Sequence, residues 1–177
     1  MFRYFESRTD PYPPEEPISP PKGLLAFCWL YTRPVAGWLV LMSLVSALVA
    51  IGEVALFGFL GSIVDWLSTS DRGGFVEREG SRLWLMGVFL FVALPLATLL
   101  HSLIVHQTLL GNYPMIARWQ MHRYLLKQSV AFFADEFAGR VATRVMQTSL
   151  AVREVVMTLA NVMVYICLLY TSDAADE

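Results

Sequence analysis

The stretch FFADEFAGRVATRVMQTSLAVRE, Phe132 to Glu154, decides how the rest of the chain reads. It is polar and lies between apolar runs, two before it and one after. It opens with three aromatics, Phe132, Phe133 and Phe137, set around the acids Asp135 and Glu136. After Gly139, the residues Phe137, Val141, Val145, Thr148, Val152 and Val156 share one face of a helix, while Arg140, Arg144 and Gln147 point elsewhere. On the other side, Met115, Trp119, His122, Leu126, Val130 and Phe133 recur at three- and four-residue steps, a second amphipathic stripe. Two helices joined by a short turn near Ala131 to Ala138 make a hairpin. Its phenylalanines either wait for a partner's groove or pack between the hairpin's own helices; periodicity alone leaves both open.

The surroundings of the hairpin are those of a membrane protein. Of 177 residues, 56% are hydrophobic and 16% charged, and the mean hydropathy is +0.52. Soluble domains are nearer half apolar and a quarter charged. A net charge of -2 gives no bulk attraction to nucleic acid. Cys28 and Cys167 lie in apolar surroundings and read as small buried hydrophobes. No Cys/His cluster has metal-ligand spacing.

Residues 1–22 hold six of the nine prolines and four acids. They read as a disordered cytoplasmic tail, with no signal peptide. Residues 23–33, GLLAFCWLYTR, are too short to span and suit an interfacial elbow helix ended by Arg33-Pro34. The alternative is that they simply begin the first span. That span, about 35–67, holds one interior charge, Glu53. A carboxylate there must face protein or water, so it either lines a cavity, reaches the outer headgroups or pairs within the bundle. Ser68 to Arg82 reads as a short outer loop. The second span, about 83–112, extends to 130 and contains Pro95, which predicts a kink. His101 and His106 lie about 140° apart on a helix, so they are no natural chelating pair; they read as hydrogen-bonded structural residues or as cavity groups with Glu53. The third span falls within about 139–170.

Lys and Arg counts set the orientation. Arg3, Arg8, Lys22, Arg33, Arg118, Arg123, Lys127, Arg140, Arg144 and Arg153 fall on one side, and Arg72, Arg78 and Arg82 on the other. The positive-inside rule then puts the N-terminus and the hairpin in the cytoplasm of a multi-pass protein of the inner (cytoplasmic) membrane.

The order of elbow, long first span, short loop, prolonged second span and the FF, acidic pair, Gly, Arg, Arg pattern resembles the N-terminal part of the transmembrane domain of ATP-binding cassette exporters of the multidrug and lipid-flippase kind. The resemblance covers about residues 20 to 166. It implies an all-α membrane fold whose long transmembrane helices extend into the cytoplasm. It further implies a coupling helix at about 131–138 that rests on a nucleotide-binding domain. Phe132, Phe133, Asp135, Glu136 and Phe137 would make that contact, and Gly139, Arg140 and Arg144 would shape the start of the third helix. Implied partners are that domain of the same parent chain, a second half-transporter in a homo- or heterodimer, and the lipid bilayer, with no nucleic acid.

The chain has no GxxxxGK[ST] phosphate loop, and about three spans rather than six. It is therefore expected to be no enzyme by itself, a truncated piece with no cofactor of its own, Mg-ATP being implied for the nucleotide-binding domain. The ending CLLYTSDAADE resembles adapter sequence, so residues 171–177 read as foreign. The leading function is the membrane-spanning part of an ATP-driven exporter. The alternative is a small membrane adaptor whose hairpin recruits a soluble partner. A membrane enzyme built on His101, His106 and Glu53 lacks a ligand motif.

Overall fold

The computed structural model describes residues 9–14, 16, 18–69, 75–135 and 138–173, and every element among them is helical. Helix α1, Leu24–Thr32, passes through a tight turn at Arg33–Val35 into α2, Ala36–Thr69. Helix α3, Phe75–Val88, widens into a π-helical turn at Phe89–Ala93 and resumes as α4, Leu94–Leu103. A second wide turn at Ile104–Leu109 leads into α5, Leu110–Leu126. A short α6, Val130–Asp135, precedes α7, Ala138–Asp173. Three of the resulting helical runs are long and apolar enough to cross a membrane: Leu24–Trp66, Glu79–Leu126 and Gly139–Leu168.

Several sequence expectations change here. Arg33 stays helical, because Pro34 sits in the first turn of a short helix, where its missing N–H costs nothing. Helix α1 is apolar around its whole circumference, without the polar face that an interfacial helix shows. The expected loop at Ser68 to Arg82 is helical up to Thr69 and again from Phe75. Its Glu79 and Arg82 form an i,i+3 ion pair at 3.1 Å, a helix-supporting spacing that a count of polar residues overlooks.

The first wide turn has a local cause. Pro95 cannot donate to the carbonyl one turn earlier, and the helix shifts register just before it, with the Leu94 N–H bonded to the Phe89 carbonyl. Pro114 deprives the Leu110 carbonyl of its usual partner in the same way. Arg153 of α7 supplies a substitute, its Nη1 donating to that carbonyl at 3.5 Å. Ser129 ends the long helix. Lys127 and Gln128 bond back to Tyr124 and Leu125, and Ser129 caps α6 through its carbonyl and Oγ, which accept from the Phe132 N–H.

The chain forms two compact units, residues up to 43 with those from 103, and residues 44–102. In the first unit α1, α5 and α7 pack against one another. Val35, Leu39 and Met42 are buried at helical spacing, as are Leu109, Tyr113 and Ile116. Across this core the Tyr113 hydroxyl and Thr32 Oγ1 lie 2.6 Å apart, and Thr32 donates to the Cys28 carbonyl at 2.6 Å. In the second unit Gly52 is buried against Leu94, and Phe59 meets Phe89 edge to face at 5.5 Å. Much of the remaining apolar surface faces outward. Phe57, Phe91, Leu96, Leu159 and Met163 are all more than half exposed, as befits helices solvated by lipid or by other helices. Neither cysteine is in a disulfide, and Cys167, expected to be buried, is exposed on α7.

Candidate functional site

The hairpin is built from α5 and the first half of α7. Arg118 Nε on α5 donates to Ser149 Oγ on α7 at 3.0 Å, and Ser149, fully buried, donates in turn to the Met146 carbonyl at 2.8 Å. With the bond from Arg153 to Leu110, this ties the two arms at two levels. The Arg118 bond is charge-assisted and partly buried, so it sets the register of the arms more firmly than the longer, exposed Arg153 bond.

Beneath the tip lies an apolar cleft of about 380 Å³, lined among others by Arg118, His122, Phe133, Val141, Val145 and Met146. Phe133 therefore covers its own hairpin, yet it remains 42% exposed; Phe132, packed edge to face on it at 5.3 Å, is 37% exposed. The two readings of these aromatics are thus both partly met. The rings are anchored on the hairpin and still present apolar surface. Glu136 and Phe137 lie outside the described residues, as does the side chain of Asp135. Gly139, Arg140 and Arg144 stand in the first turns of α7, the two arginines exposed. A methyl group at Gly139 would meet nothing within 4 Å, so no steric demand calls for glycine there.

The second candidate lies in the unit of residues 44–102. A cavity of about 720 Å³ is lined by Glu53, Leu56, Phe59, Leu60, Met86 and Leu90, among others. Glu53, Leu56, Leu60 and Ile63 follow helical spacing on α2, so the carboxylate stands on an otherwise apolar face. His101 and His106 are not among the lining residues. His101 Nε2 is buried without a partner, and His106 is exposed at the second wide turn. The three residues grouped from the sequence therefore do not form one set around this cavity.

The contacts of the N-terminal tail were not expected from the sequence. Among the described residues of the segment read as disordered, several between 9 and 16 bond to α5. Asn112 Nδ2 donates to Thr9 Oγ1 at 2.7 Å. Trp119 Nε1 donates to the Pro13 carbonyl at 3.2 Å, and Arg123 Nη1 donates to the carbonyls of Pro13 at 3.4 Å and Pro14 at 3.1 Å. Tyr12 meets Trp119 edge to face at 5.3 Å. The signal was present in the composition: a proline run offers carbonyls with no N–H of its own, and Trp119 and Arg123 are donors on the same helix. The stripe read as the packing face of α5 is also displaced. The residues buried there are Tyr113, Ile116, Ala117 and Met121, and Trp119 carries the tail instead.

Among the described residues no group of three or more His, Cys, Asp or Glu side chains is placed to hold a metal ion. The described contacts tie the two arms of a helical hairpin, and a separate apolar cavity bears one acid.

No family model and no solved structure matches the chain. An uncharacterized ABC transporter ATP-binding protein of Haemophilus influenzae is 41% identical to it over 169 residues, 94% of this chain. The chain spans about a quarter (27%) of the length of that curated relative. The expectation that the chain is no enzyme is corrected by this relative, whose name as an ATP-binding protein points to an ATPase; a missing phosphate loop in residues 1–177 does not weigh against it. With three helices of membrane-crossing length and this likeness along nearly its whole extent, the chain is related to ABC transporters.

Proposed function

We propose that these residues are the N-terminal membrane-spanning part of an ATP-driven exporter, and that the hairpin couples ATP hydrolysis in the whole protein to substrate translocation. The observation that carries this reading is the placement of Phe132 and Phe133. They sit, half exposed and paired, where the second and third apolar helices turn over. The acids Asp135 and Glu136 follow at once in the sequence. An aromatic knob with adjacent acids suits a groove on a partner surface, here a nucleotide-binding domain that carries Mg-ATP. The arms tied by Arg118, Ser149 and Arg153 would pass its movement toward the membrane as a rigid pair. Residues 131–138 are then the coupling helix, the N-terminus is cytoplasmic, and a second half-transporter covers part of the exposed helical surface.

The test is charge reversal of Asp135 and Glu136 in the full-length protein, reconstituted in liposomes. ATP hydrolysis is expected to persist while ATP-dependent transport is lost. Transport per ATP equal to that of the unaltered protein would remove the hairpin from this role.

A further inference from the structure

We propose that the α5 face formed by Asn112, Trp119 and Arg123, continued by Lys127, is a recognition site for a proline-rich segment, and that residues 9–14 with Glu16 are its resident ligand, a releasable brace on the hairpin. The inference does not depend on the exporter reading. Its first support is chemical. Proline carbonyls are strong acceptors that no neighbouring N–H satisfies, and an extended proline run is pre-ordered, so it binds at little entropic cost. Trp119 provides both an indole donor to the Pro13 carbonyl and a ring for Tyr12, while Arg123 reaches two successive carbonyls and lies 6.0 Å from the Trp119 ring centre. Asp10 Oδ1 accepts from the Tyr12 N–H at 2.9 Å and holds the aromatic in position.

The second support is register. Asn112, Trp119, Arg123 and Lys127 recur at seven- and four-residue steps, one stripe of the helix. From Asn112 to Lys127 the helix advances about 22 Å at ~1.5 Å per residue. The segment meets partners at both ends of that length, Thr9 on Asn112 at 2.7 Å and Glu16 on Lys127 at 3.9 Å. Thr9 is buried at one end, whereas the Glu16–Lys127 pair is largely exposed at the other. The strap therefore peels most readily from the end beside the hairpin turn.

Two measurements on the chain in lipid nanodiscs decide the matter. A nitroxide at Pro14→Cys, with Cys28 and Cys167 replaced by alanine, is expected to be immobilised, and to become mobile when Trp119→Phe and Arg123→Ala are added; equal mobility in the two proteins overturns the proposal. A fluorescent peptide of residues 9–18 is expected to bind a chain lacking residues 1–18, and about tenfold more weakly when that chain carries Trp119→Phe and Arg123→Ala. Should the shortened chain not remain helical and monodisperse, the nitroxide mobility alone upholds or overturns the site. A well-folded shortened chain that ignores the peptide, or binds it equally with and without the two substitutions, refutes the site.

Discussion

Tyr113 and Thr32, 81 residues apart in sequence, meet at 2.6 Å through their hydroxyls, and the direction of that bond is fixed. Thr32 already donates to the Cys28 carbonyl, so it accepts from Tyr113. Both residues are buried. The bond joins α1 to α5 and does so inside an apolar core, where an unpaired hydroxyl has no water to turn to.

The first prediction follows from that direction. Tyr113→Phe removes the donor and leaves Thr32 still bonded to Cys28, a loss of about 0.5–1.5 kcal/mol. Thr32→Val strands the Tyr113 hydroxyl, a loss of about 1–3 kcal/mol. Thermal unfolding in one detergent should therefore rank Thr32→Val below Tyr113→Phe, and Tyr113→Phe below the unaltered chain. The reverse order would mean that Tyr113 finds another acceptor.

Ser149 gives a second test. It is fully buried between the arms, where it receives Arg118 and donates to Met146. Ser149→Ala keeps the close approach and costs the hydrogen bonds alone, about 1–3 kcal/mol because one partner is charged. Ser149→Leu in addition forces a larger side chain into a packed contact, adding about 1–3 kcal/mol. Protease cleavage within the hairpin should rise modestly for alanine and sharply for leucine.

What the sequence disclosed and what it hid have a common physical origin. Hydropathy and helical period are local, so the three long apolar helices and the position of the hairpin were legible from runs such as Val35 to Trp66. Contacts between distant segments are not local. The Pro13 carbonyl becomes a ligand only once Trp119 and Arg123 stand beside it; the proline run shows that carbonyls are on offer but not where their donors lie. The same holds for Arg153, which reads as a surface charge until Pro114 leaves the Leu110 carbonyl in need of a donor. The apolar stripe of α5 misled because Trp119 and His122 have the right period, whereas the buried face is set by α1 and α7, which favour Tyr113, Ile116 and Ala117. Glu53 lines the apolar cavity without His101 or His106, so grouping it with the histidines rested on residue type rather than on place.

Gly52 marks a close approach that no period reveals. A methyl group there would lie 2.9 Å from Leu94 Cδ1 and 3.4 Å from Phe89 Cζ. The nearer atom is the end of a flexible side chain, so Gly52→Ala requires that Leu94 turn aside. A cost of about 1–3 kcal/mol is expected for overpacking. Leu94→Ala should relieve it, so the double variant should be more stable than the two single changes add up to, by more than about 0.5 kcal/mol in a double-mutant cycle. Strict additivity would place the strain elsewhere, at Phe89.

The last prediction separates the two phenylalanines at the tip. Phe133 lines the cleft over Val141, Val145 and Met146, whereas Phe132 rests on Phe133 and is absent from the cleft lining. Truncating Phe133 removes a ring that covers the hairpin's own apolar surface, so Phe133→Ala should loosen the hairpin, seen as faster hydrogen exchange over residues 130–146. Phe132→Ala leaves that cleft covered and should alter exchange little. In the full-length protein the order should invert for function if docking is the use of the exposed ring: Phe132→Ala would lower transport per ATP hydrolysed while the hairpin stays ordered, because the docking surface is lost and the lever is not. A Phe132→Ala protein with unchanged exchange and unchanged transport would show that the ring serves neither fold nor partner, and would shift the docking role to Phe133 or to the acids that follow it.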